Sequence, residues 1–173
     1  MKTGYLIIIL FAFLTFGHSN AQSGRKTELL TINWPEQEGW HIVDQQDDAT
    51  GTMTTIILLK GKETIPDHTE MVTIYSYHGS LPLPLETEIE TFYQNLKKYA
   101  PTAQKTIIEK DRNAVYTWMI CKIEAPQESM IHYAVQGKTE SYRCYWSVKE
   151  KKITPESQQK WIALFRSSKI TSG

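Results

Sequence analysis

Apolar and polar residues alternate along this chain with two different periods, and the switch between them divides it into elements. Most of it reads at a period of two. Leu29 to Asn33 predicts a short strand, and the stretch WPEQEGW follows, where Pro35 and Gly39 turn the chain between Trp34 and Trp40. Extended structure resumes over His41 to Gln45. GTMTTIILLKGK is rich in Thr and Ile and bounded by Gly51 and Gly61, which predicts another strand. In TEMVTIYSYHG, Met71, Thr73, Tyr75 and Tyr77 alternate against Val72, Ile74 and Ser76, a fourth.

The period then changes. In LPLPLETEIETFYQNLKKYAP the apolar residues Leu85, Ile89, Phe92, Leu96 and Tyr99 fall three and four apart, which predicts an amphipathic helix. Acids crowd its first turns and Lys97 and Lys98 its last, as the helix dipole favours, and Pro101 ends it. AQKTIIEK is a further strand candidate. NAVYTWMICKIE, ESMIHYAVQ and TESYRCYWSVKE are three stronger ones, and a second helix closes the chain, capped by Thr154 with Pro155 at its first position and burying Trp161, Leu164 and Phe165.

Strands joined by short turns pair antiparallel. The expected class is therefore α+β: an antiparallel β-sheet with two amphipathic helices packed on it, an αβα sandwich. A closed barrel is the alternative, but two such helices need a sheet face to cover.

The amino terminus changes the picture of compartment. Lys2, an apolar run from Tyr5 to Phe16 and the small-residue stretch Ser19-Asn20-Ala21 have the anatomy of a secretory signal peptide, with cleavage expected after Ala21. The apolar run is too short for a comfortable span, so no membrane span is expected after cleavage, and no cysteine at the junction supports lipid attachment. The expected organisation is a signal over residues 1–21 and one α+β domain over 22–173, exported to the periplasm or beyond the cell. The full chain carries 19 basic and 19 acidic side chains. Such a balance, with no basic stripe, argues against nucleic acid as a partner.

The two cysteines test the strand register. The turn QGKT reads as a type II′ hairpin pairing Gln136 with Thr139, and EAPQE as a three-residue loop pairing Glu124 with Glu128. Counting inward places Ile131 opposite both Cys121 and Cys144. Thiols two strands apart lie roughly 9–10 Å from each other, beyond the ~7 Å that a disulfide tolerates between Cα atoms. The expectation is two buried, reduced thiols in a row on one face, although an exported chain usually oxidises paired cysteines and another strand order would restore the bond.

The same count gives a main core face of Met119, Cys121, Ile123, Ile131, Tyr133, Val135, Tyr142, Cys144, Trp146 and Val148. The other face, with Tyr116, Trp118, Ile120, His132, Ala134, Arg143 and Tyr145, is mixed. Either a helix covers it, or it stays partly open as an aromatic surface. In the second case Trp118, His132, Arg143 and Tyr145 are the candidate ligand- or partner-binding residues, the aromatics giving contact area and Arg143 anchoring an anionic group. Arg143→Ala separates the two cases, weakening binding alone if the face is open and stability if it is core.

Catalytic motifs add little. His68, Glu70 and His78 are the residue types a zinc site uses. The two histidines lie ten positions apart along an extended segment, roughly 30 Å, and cannot share one ion. Neither GxSxG, HExxH, CxxC nor a Gly-rich phosphate loop occurs. Asp47 and Asp48 fall in a turn, and Glu86, Glu88 and Glu90 on the polar face of a helix start, each with a sufficient structural role. No catalytic residue, metal site or cofactor is assigned.

The layout resembles the PsbP/Mog1-like superfamily: the opening Pro35, Gly39, Trp40 turn, the helix after the fourth strand, the closing three-stranded meander and the terminal helix with Trp161. The resemblance implies an antiparallel sheet between helices and an accessory, binding or assembly role without intrinsic catalysis. No functional residue carries over, since such families share a scaffold and not a site. The function expected is an exported non-enzymatic domain that contacts a protein partner or small ligand. A histidine/carboxylate hydrolase or metal-assisted enzyme is the alternative.

Overall fold

The computed structural model describes residues 27–79 and 83–172. The expected export signal and its cleavage site lie outside them. Among these residues nine strands and two α-helices, with a short 3-10 turn at Glu36–Glu38, follow one another as β1 (Glu28–Thr31), β2 (Trp40–Asp47), β3 (Met53–Lys60), β4 (Glu70–His78), α1 (Leu85–Lys97), β5 (Gln104–Asp111), β6 (Thr117–Glu124), β7 (Ser129–Gln136), β8 (Glu140–Val148), α2 (Pro155–Arg166) and β9 (Lys169–Ser172). Seven strands form one antiparallel sheet in the order β2-β3-β4-β8-β7-β6-β5. β1 and β9 pair separately as an antiparallel ribbon.

Local chemistry sets the turns. Between β2 and β3, Asp48 accepts hydrogen bonds from the Thr50 hydroxyl and from the amides of Thr52 and Met53, at 2.5, 2.7 and 3.0 Å. The Thr50 hydroxyl first and then these amides bring its carboxyl down to about 2. Gly51 takes a φ of +66°, which a β-carbon would strain. At the start of α2 the Thr154 hydroxyl accepts from the Ser157 amide at 3.2 Å, with Pro155 at the first helical position.

The two sheet faces carry separate cores. Trp161 and Phe165 of α2 pack with Ile120, Ile131, Tyr133, Tyr142, Cys144 and Trp146. Trp34 and Trp40, on either side of the WPEQEGW turn, lie 6.3 and 5.6 Å from the Trp161 ring, and Trp146 stacks on it at 5.0 Å. Leu85 and Ile89 of α1 pack instead with Met119, Cys121, Ile123 and Ala134. Tyr99, expected on the helix stripe, is 88% exposed, because α1 ends at Lys97.

The observed register corrects the count made from the turns. Cys121 pairs with His132, and Lys122 with Ile131, so the β6–β7 connection is one residue longer than expected. On the other side Ile131 pairs with Trp146 and Tyr133 with Cys144, a shift of two residues. A shift of two preserves the faces, whereas a shift of one inverts them. Met119, Cys121 and Ile123 therefore join His132, Ala134, Arg143 and Tyr145 beneath α1, while Trp118 and Ile120 turn to the face beneath α2.

The thiols are thus unbonded and buried for a different reason from strand spacing alone: they point to opposite faces. Burial pushes each up to about 12, so neither is a nucleophile at neutral pH. Native protein is expected to resist a thiol-alkylating reagent and to take up two equivalents once denatured. A mass two hydrogens short of the dithiol would contradict this arrangement.

Candidate functional site

Along one end of the sheet, on the α2 face, four polar side chains form a continuous row. Asp47 closes β2, Thr54 sits near the start of β3, His78 closes β4 and Glu140 opens β8, so antiparallel order brings all four to the same edge. The Thr54 hydroxyl lies 2.6 Å from Asp47 Oδ1 and 3.1 Å from His78 Nε2, and His78 Nδ1 lies 2.9 Å from Glu140 Oε2. Glu28, at the head of β1, joins the row from above. Its Oε2 accepts from the amides of Thr139 and Glu140 at 2.8 and 3.3 Å. The Tyr142 hydroxyl donates to the Glu28 carbonyl at 2.7 Å.

Burial works to raise the Glu28 carboxyl, but the backbone N–H groups of Thr139, Glu140 and Lys138 outweigh it and hold it below the usual carboxylate range. The turn that supplies those donors must come close. A β-carbon on Gly137 would stand 2.2 Å from Glu28 Oε2 and 2.8 Å from the Glu140 carbonyl oxygen. Gly137→Ala is expected to cost about 1–3 kcal/mol by overpacking, read as a fall in the denaturant midpoint with an unchanged slope. No loss of stability would show that the Glu28 contact is dispensable.

Below this row lies a cleft of about 300 Å³ between β1 and the β2–β3–β4 part of the sheet. Its floor is apolar: Ile56, Leu58 and Ile74, with Ile42 at one side and Leu30 and Ile32 from the segment above. Period-two alternation explains it. Thr54, Ile56 and Leu58 share one face of β3, and only the first, at the strand end, is polar.

The row has the order hydroxyl, imidazole, carboxylate that nucleophilic catalysis uses. Its proton inventory differs. A carboxylate only accepts, so the 2.6 Å contact directs the Thr54 proton to Asp47 and away from His78 Nε2. The chain positions His78; it does not draw a proton from Thr54.

The residues singled out by sequence fall elsewhere. Arg143 is 1% exposed and gripped by Glu88 of α1, with Nε to Oε1 at 2.9 Å and Nη2 to Oε2, while Nη1 donates to the Tyr142 carbonyl at 2.7 Å. His132, also 1% exposed, stacks on Tyr145 at 4.2 Å and meets Phe92 of α1 at 5.6 Å. Trp118 lies on the other face. The structure brings His132, Arg143 and Tyr145 together under a helix and separates Trp118 from them. His68 Nδ1 donates to the Ile65 carbonyl, 2.5 Å away, and among the described residues no three His, Cys, Asp or Glu side chains converge as metal ligands. Glu28, Thr54 and Glu140 gave no sequence signal, because only strand order makes them neighbours.

No family model matches this chain, and no curated protein matches it. The solution structure of cyanobacterial PsbP (CyanoP) from Synechocystis sp. PCC 6803 is similar over 90% of this chain and 99% of that one, with a TM-score of 0.54 at 10% sequence identity. The fold is PsbP-like. Such identity transfers the PsbP-like scaffold alone, so the cleft is read from its own residues. Among the described residues of this PsbP-like chain no helix is long and apolar enough to cross a membrane.

Proposed function

We propose that this chain is an exported, non-enzymatic accessory domain, layered in the αβα manner, that holds a small ligand in the cleft beneath β1. The observation that carries this reading is the cleft: apolar floor, polar row at one end, and a volume of about 300 Å³, at the lower bound of small-molecule sites. The PsbP-like fold supports the accessory character, and the hydrophobic amino-terminal run supports export. The earlier candidates, Trp118, His132, Arg143 and Tyr145, are in this reading structural residues that leave the cleft as the contact site.

Ligand-observed NMR on the exported protein with a panel of small amphiphiles tests the reading. Binding is expected with the wild type and is expected to fall about tenfold in Ile74→Trp, which fills the floor. Equal binding by both would place the ligand elsewhere. The hydrolase reading draws on the Thr54, His78, Glu140 order. Turnover on ester, peptide or glycoside panels that disappears in His78→Gln would put it in place of the binding reading.

A further inference from the structure

The polar end of the cleft is one-sided in charge. Three carboxylates line it, from Glu28, Asp47 and Glu140, and among the described residues no Lys or Arg does. His78 faces Glu140, while Glu28 is met by backbone N–H dipoles and the Thr139 hydroxyl, none of which carries a full charge. Glu28 and Glu140 are 4% and 7% exposed, so water screens them poorly and a charge placed beside them is felt strongly. Carboxylates accept hydrogen bonds and an ammonium group only donates them, which makes the two complementary without rearrangement.

We propose that the cleft takes a small organic cation: an apolar body on Ile56, Leu58 and Ile74, with a protonated amine at the Glu28, Asp47, Glu140 end. This deepens the reading of the cleft as a binding site and rests on it. Size limits the body. At ~30 Å³ for a water-sized group the cleft holds about ten heavy atoms, which fits an eight-carbon amine. An anion of the same length must approach three like charges, and an alcohol gains the floor without the pairing.

Titration calorimetry of the exported protein with octylamine, octanol and octanoate separates the terms, because the three share a tail. Octylamine is expected to bind about tenfold tighter than octanol, with octanoate weaker still, and the advantage is expected to shrink as salt is added. Asp47 lies on an exposed strand end. Asp47→Asn, which should fold, is expected to reduce the amine-to-alcohol ratio severalfold while leaving octanol unchanged. Equal affinities for octylamine and octanol would overturn charge selection and leave the cleft as an apolar site. Tightest binding of octanoate would overturn the sign. Failure of all three to bind would overturn the cleft reading as well.

Discussion

Arg143→Ala is expected to remove about 2–4 kcal/mol of folding free energy, below the full range for a buried ion pair because Glu88 keeps some access to water. The guanidinium is 1% exposed, forks onto Glu88 and also donates to the Tyr142 carbonyl at 2.7 Å. Alanine leaves the Glu88 carboxylate without its partner, removes the extra donor at the Tyr142 carbonyl, and opens a void beneath α1. Glu88 lies in the first turn of α1, so the pair clamps the helix start to the sheet. At ~2–4 °C per kcal/mol for a domain of this size, the melting temperature should fall on the order of 10 °C. A double variant, Arg143→Met with Glu88→Leu, is expected to recover most of the loss, since the cost lies in orphaning one charge. A melting temperature within about 2 °C of wild type for Arg143→Ala would show that the side chain is not the clamp described.

Acid is expected to destabilise the protein well before its carboxylates protonate, and His132 is the reason. Burial first, and the nearby Arg143 second, bring this imidazole down to about 3. Neither ring nitrogen has a hydrogen-bond partner among the described residues. The unfolded chain takes up a proton near pH 6.5, its ordinary value, while the folded chain does not until about pH 3. Between those values the unfolded state binds more protons. Stability from this group is therefore complete above pH 6.5 and lost as pH falls toward 3. The slope approaches ~1.4 kcal/mol per pH unit, which comes to about 2 kcal/mol between pH 7 and pH 5. His132→Phe keeps the stack on Tyr145 and Phe92, removes two unsatisfied nitrogens, and is expected to be more stable by about 1–3 kcal/mol at pH 7. Its stability should also be flatter with pH over that interval. Parallel curves for the two proteins from pH 7 to 5 would assign the acid sensitivity to another group.

The periodic signals carried most of the architecture. Both helices, the Thr154 cap, the Trp34 and Trp40 turn and eight strands stand where the pattern places them, because period and capping are local properties. β9 was not legible: KITS has four residues and one apolar side chain, too few to carry a period. The faces failed through a single connection. EAPQE reads as a three-residue loop, yet Ile123 pairs with Met130 and the Ala125 amide bonds to the Ser129 hydroxyl at 3.3 Å, so one more residue enters the turn. That slip moved Trp118 and Cys121 to the wrong sides and assembled a mixed surface that the molecule divides. The turn between β7 and β8 is held partly by Glu28, 111 positions from Thr139, a constraint no local reading contains. The cleft was hidden for the same reason. Asp47, Thr54, His78 and Glu140 become a row only once β2, β3, β4 and β8 are known to be neighbours.

The ribbon of β1 with β9 sets an order of events during synthesis. Leu29 and Leu30 belong to the first of the described strands and their partners Thr171 and Ile170 to the last, so the roof of the cleft waits for every strand between them. Closing so long a loop adds little entropy beyond a shorter one, though it delays the contact. The first described strand is thus among the last to be seated, and a ribosome-bound chain still lacking residues 169–172 would present the floor of Ile56, Leu58 and Ile74 without its paired cover.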